Sequence, residues 1–91
     1  MNISKLYKVI IDRKYSNKKD SYVRSLFDEG IDRMAQKVGE EATEVVIASK
    51  NESEQRFIEE TADLWFHSLV LLAARNIEPS QIFDELAKRH K

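Results

Sequence analysis

Two groups of acidic residues carry the chemistry this chain can offer: Glu40 and Glu41 followed by Glu44, and Glu60 followed by Asp63. Glu41 and Glu44 are one helical turn apart, and so are Glu60 and Asp63. Both groups fall in the most apolar stretch of the sequence. Taking an ionised carboxylate out of water costs several kcal/mol even after relaxation. A domain of this size is stable by only about 5–15 kcal/mol in total. Four or five packed carboxylates therefore cannot all stay charged, buried and unpaired. They must be protonated, solvated in a cleft, paired with basic residues, or bound to a cation. Two antiparallel helices joined by a short turn can face these pairs toward each other. Such a site offers oxygen alone, which suits magnesium, with manganese as a substitute. The chain has no Cys and two His, which disfavours zinc. Magnesium keeps waters and takes substrate phosphates as further ligands, so the pattern points to phosphate chemistry. The plain alternative is ordinary ion pairing, since Lys37 and Glu41 are themselves an i,i+4 pair.

Other candidates are fewer. Lys37, Lys50, Arg33 and the loop residues Lys14, Lys18, Lys19 and Arg24 could meet phosphates. His67 shares a stripe with Glu60 and Asp63, and is expected to make a core hydrogen bond rather than to ligate metal. Trp65 and Phe66 are expected to pack in an interface rather than to stack on a base. No P-loop, no G-x-G-x-x-G and no Ser/His/Asp pattern is readable. The absence of Cys excludes disulfides and thiolate chemistry. A net charge of -1 gives no global basic field for nucleic acid. The longest uninterrupted apolar run near the middle, Leu69 to Ala74, is far short of the roughly 18 residues of a membrane span. Met1 to Lys5 has no apolar core like that of a signal peptide. The expectation is a cytoplasmic protein without a membrane partner.

The elements that must position the acids can be read from spacing. Ninety-one residues suit one domain, 1–91. Two Gly and one Pro leave few punctuation points, so long helices with short connections are expected. Ile3, Leu6, Tyr7 and Ile10 predict a short helix to about Arg13, capped by Asn2 or Ser4. Lys14 to Asp20 reads as a loop, and Ser21 to Phe27 as a short helix or an ordered loop. Gly30 marks a break. A long helix follows from about Ile31 to Lys50, with Ile31, Met34, Ala35, Val38, Ala42, Val45 and Ala48 on one broad face. Glu41 falls inside that face, Glu44 and Lys37 at its margin, Glu40 further round. Gly39 sits in mid-helix, where it costs about 1 kcal/mol relative to Ala. That is either tolerated strain or a sign that a ligand or a backbone comes close.

A second long helix is expected from about Glu54 to Arg75, capped by Asn51 or Ser53 and ended by Asn76 in the left-handed conformation. Its apolar residues point in nearly every direction, and a helix apolar all round is buried all round. Three other short helices could barely surround it. The spacing therefore predicts an all-α bundle completed by homodimerisation, with this helix at its centre. Pro79 opens a last helix to about His90, with Ile82, Phe83 and Leu86 facing inward.

The string from Gln36 to Ala48, which reads QKVGEEATEVVIA, resembles the signature of the phosphoribosyl-ATP pyrophosphatases. So do ETADLWFHSLVLL from Glu60 to Leu72, the closing Leu86 to His90, and Ser21 to Phe27 with Gly30. The resemblance covers nearly all the chain from about Ser21 onward. The acidic pairs alone indicate only the wider all-helical, MazG-like nucleotide pyrophosphohydrolases. The resemblance implies magnesium-dependent hydrolysis of phosphoribosyl-ATP to phosphoribosyl-AMP and pyrophosphate, the second step of histidine biosynthesis, by a helical homodimer. It implies Glu41, Glu44, Glu60 and Asp63 as metal ligands, and Glu40 as a ligand or as a base or orienting group for water. Lys37 and Lys50 are implied phosphate contacts. Val23 stands where the family has Thr, and Asn76 where Gly often ends the long helix. The cyclohydrolase domain fused to this activity in some organisms is not in this sequence, so a free-standing pyrophosphatase is implied. Two rivals remain at this point: a housecleaning nucleoside triphosphate pyrophosphohydrolase of the same fold, and a non-catalytic helical dimerisation module whose acids are salt-bridged.

Overall fold

The computed structural model describes residues 1–16, 21–51 and 53–89. Lys18, Lys19 and His90 lie outside the described residues. The described residues form five helices: α1 (Ile3–Lys14), α2 (Tyr22–Glu29), α3 (Ile31–Asn51), α4 (Glu54–Ala74) and α5 (Pro79–Arg89). There is no strand among the described residues. The all-α expectation holds, and the ambiguous Ser21–Phe27 segment is the helix α2 with its cap.

Local chemistry explains where the helices start and stop. The Asn2 side chain accepts from the Lys5 N–H at 2.8 Å and caps α1. Ser21 Oγ accepts from Arg24 N–H at 3.3 Å, and Ser53 Oγ from Arg56 N–H at 3.2 Å, capping α2 and α4. Gly30 has φ 102°, a conformation costly for any side chain, and it lets α2 turn directly into α3. Asn76 takes φ 57° just past α4. Its N–H donates to Ala73 O at 3.2 Å, and that of Ile77 donates to Leu72 O at 3.0 Å, a Schellman closure with Asn in the place Gly usually fills. Lys14 Nζ adds a donor to the same end, 3.0 Å from Ala73 O and 3.2 Å from Asn76 Oδ1. Lys14, a candidate phosphate contact, is thus engaged in closing α4.

The α3–α4 hairpin is the most extensive pairing, with α1 laid on α4 and α2 on α3. The core gathers Tyr7 and Ile10 of α1, Val23 and Leu26 of α2, Met34 of α3, and Leu69, Val70 and Ala73 of α4. Val23 is buried in that core and serves packing.

The other side of α4 is bare. Phe57, Ile58 and Trp65 are exposed, Trp65 by 58%. The inward face expected for α5 is also uncovered: Ile82, Phe83 and Leu86 are all exposed. Among the described helices, α5 packs chiefly on α1. Its apolar face lines an open groove with Ile3, Trp65, Leu69 and Leu72. None of the helices is long and apolar enough to cross a membrane among the described residues.

Candidate metal centre

Glu41 projects from the middle of α3, and Glu60 and Asp63 from the first half of α4. The short connection between these helices folds them back on each other and brings the three carboxylates together. Each can offer one oxygen so that the three lie within 4.8 Å of one another. Their burial differs: Glu60 is 7% exposed, Glu41 is partly buried and Asp63 is exposed. The cluster is therefore seated in the protein on one side and open on the other.

Two cations offset the charge of the more buried acids. Lys37 Nζ lies 3.3 Å from Glu41 Oε1 and 3.4 Å from Glu40 Oε2. Arg56 Nη2 lies 2.7 Å from Glu60 Oε1. Asp63 has no ion pair among the described residues. Burial pushes the Lys37 ammonium down, but hydrogen bonding to Glu41, the Tyr22 phenol nearby and Glu40 outweigh it, so its pKa stands above the ordinary lysine value. Lys37 is fully charged at neutral pH. Three clustered carboxylates against two monovalent cations leave the cluster net acidic. The donor set is all oxygen, which fits a hard divalent cation. The pairing expected for Lys37 and the gathering of carboxylates are thus both present.

The remaining site candidates are placed as follows. Glu44 is exposed one turn beyond Glu41 and lies outside the converging three. Glu40 is oriented by Gln36 Nε2 at 3.0 Å, by Lys37 and by Arg33 Nη1 at 3.6 Å. Lys50 is exposed in the last turn of α3, about 13 Å along the axis from Glu41. Arg24 is tied to Asp28 Oδ1 at 3.0 Å and to the carbonyls of Lys14 and Ser16, bracing the end of α1 against α2. A Cβ added at Gly39 would meet nothing within 4 Å, so the chain's own packing does not demand glycine there.

His67 is buried and makes core hydrogen bonds, as expected. Its Nδ1 donates to the Asp63 carbonyl at 2.8 Å, so Nε2 of the neutral ring accepts from the Tyr22 hydroxyl at 2.9 Å. The Trp65–Phe66 pair splits. Successive residues point about 100° apart on a helix. Trp65 faces the bare side, while Phe66 stacks on Tyr22 at 6.2 Å.

Two residues of this neighbourhood escape the sequence reading. Arg56 stands four before Glu60, the same helical spacing as Lys37 to Glu41, and that signal was available. Tyr22 reaches His67 from 45 residues away in sequence, and no local pattern announces it.

The helices of the described residues and an oxygen-only cluster between two antiparallel ones define a class: an all-α protein equipped to hold a hard cation at a partly open site. Residues 3–90 match the sequence profile of the phosphoribosyl-ATP pyrophosphohydrolases, and the chain belongs to that family. It is 49% identical over 98% of its length to a phosphoribosyl-ATP pyrophosphatase of Sulfolobus acidocaldarius, covering 94% of that protein. It is 51% identical over 92% of its length to one of Geotalea daltonii, covering 79% of it. It is also 48% identical to a histidine biosynthesis bifunctional protein of Caldanaerobacter subterraneus, matching 43% of that longer chain.

Proposed function

We propose that this chain, acting as one domain over 1–91, hydrolyses phosphoribosyl-ATP to phosphoribosyl-AMP and pyrophosphate in histidine biosynthesis. The observation that carries the reading is the convergence of Glu41, Glu60 and Asp63 in a member of this family. Glu41, Glu60 and Asp63, with Glu44 beside them, would hold a magnesium ion, which manganese could replace. When bound, that ion supplies a Lewis acid that withdraws charge from the triphosphate and from water. Glu40, fixed by Gln36, Arg33 and Lys37, orients the attacking water and accepts its proton. Water attack breaks the bond between the alpha and beta phosphates, and pyrophosphate leaves. Lys37 and Lys50 meet phosphate oxygens, and Arg24 acts through the chain segment it braces. Positioning and charge stabilisation supply most of the rate.

The working form is a homodimer joined through the bare side of α4 and the groove beside α5, which the exposed Trp65, Ile58 and Phe83 support. The chain works in the cytoplasm, where its nucleotide substrate is made. The deciding experiment measures pyrophosphate release from phosphoribosyl-ATP with and without magnesium, beside ATP and dATP. Magnesium-dependent release from phosphoribosyl-ATP alone is expected. Release from ATP and dATP instead would move the chain to the housecleaning hydrolases, and no release would leave a dimerisation module.

A further inference from the structure

Tyr22 is an exposed aromatic that is nevertheless held in place. It is 52% exposed at the first position of α2. Its hydroxyl donates to His67 Nε2 at 2.9 Å. Its ring stacks on Phe66 with centroids 6.2 Å apart and planes 23° apart. The His67 ring meets it edge-on at 5.9 Å. The hydrogen bond satisfies a nitrogen of the buried His67 and costs the tyrosine its rotamer freedom. The result is a flat apolar face in a set orientation, with the polar handle turned inward and occupied.

Tyr22 is linked to the residues around the carboxylate cluster by two routes. His67 links Tyr22 to Asp63 through the Asp63 carbonyl. On the other side, the Tyr22 oxygen lies within electrostatic reach of Lys37, which pairs with Glu41. We propose that the Tyr22 ring is the platform on which the aromatic base of the substrate nucleotide rests while its phosphates reach Lys37 and the carboxylates. The assignment rests on the nucleotide reading above and adds a specificity-determining residue to it. Stacking on an aromatic side chain is worth about 1–3 kcal/mol per base, which corresponds to about a fivefold to 150-fold change in affinity. A platform locked before binding avoids an ordering cost at binding.

The test compares two probes in the presence of magnesium: α,β-methylene-ATP, which carries a base, and inorganic tripolyphosphate, which does not. Tyr22→Leu is expected to weaken the nucleotide by about fivefold or more and to leave tripolyphosphate within twofold. Tyr22→Phe keeps the ring and is expected to hold both within threefold. Equal weakening of both probes by Tyr22→Leu, or no weakening of either, overturns the platform. A second readout is spectroscopic: the adenine H2 and H8 proton resonances should move upfield on binding and show contacts to tyrosine ring protons that give way to phenylalanine ring contacts in Tyr22→Phe. Absence of those contacts also overturns it. Binding of neither probe to the unaltered chain also overturns the platform, whereas the function proposed above stands or falls by turnover of phosphoribosyl-ATP, so the two failures are distinguishable.

Discussion

At the residue scale, the site is a contest between cations for a few carboxylates. Glu60 is buried, and Arg56, itself half exposed, is its ion-pair partner. Arg56→Ala should therefore destabilise the chain by about 1 kcal/mol in the absence of metal, the modest size reflecting solvent screening of a half-exposed partner. Added magnesium should then raise the melting temperature of the variant more than that of the unaltered protein, because the ion compensates a charge the arginine no longer offsets. Equal increments would show that Glu60 takes no part in binding. Asp63→Asn removes the cluster acid that has no ion pair, so it should abolish the magnesium-dependent rise and lower turnover by roughly a hundredfold or more, at unchanged helical content. A variant with normal turnover would remove Asp63 from the site. The acids were readable because carboxylates on an apolar helix face conflict with their surroundings. The tyrosine platform was not, because Tyr22, Phe66 and His67 meet only once α2 folds onto α4.

At the scale of elements, the punctuation decided how much could be read. Ser53 and Asn76 announce their roles by residue type alone, so the ends of α4 were legible. The apolar face of α5 was legible as a face but its cover was not, since spacing tells which residues share a face and not which neighbour covers it. Gly39 offers a test of this level. It is exposed and a Cβ there is unopposed, so Gly39→Ala should stabilise the chain by about 1 kcal/mol in thermal or urea unfolding. A gain in stability with lost turnover would show that substrate or a second chain approaches that backbone. Tyr7 ties α1 to the segment after α4 through its hydroxyl, which donates to the Ile77 carbonyl at 2.8 Å. Burial, with Glu78 and Tyr15 nearby, raises its pKa above the ordinary value. The neutral phenol is thus favoured in the folded chain. The stability it contributes is complete below about pH 10 and is lost as pH rises through the folded value. Tyr7→Phe should cost about 1 kcal/mol at neutral pH and flatten the alkaline decline. An alkaline decline identical in Tyr7→Phe would place its origin elsewhere, with Lys37 the next group to examine.

At the scale of the molecule, α4 has two sides with different tasks. Trp65 lies about 140° round the helix from Glu60, so the bare apolar side and the acidic side are nearly opposite. The bare side continues into the α5 groove, and exposed apolar patches of more than a few hundred Å² mark interaction surfaces. A stable interface needs about 800 Å² from each partner, which a single helix side and its neighbouring groove are of the right scale to supply. Sedimentation equilibrium should therefore give twice the chain mass at micromolar concentration, and the melting temperature should rise with protein concentration. Trp65→Asp places a charge in the middle of this surface and should shift the mass to that of one chain. A single-chain mass for the unaltered protein, or an unchanged dimer in Trp65→Asp, would put the contact somewhere else. Because the carboxylates face away from Trp65, the dissociated variant should keep its magnesium-dependent rise in melting temperature even as its overall stability falls. Loss of that rise would mean that the second chain completes the metal site.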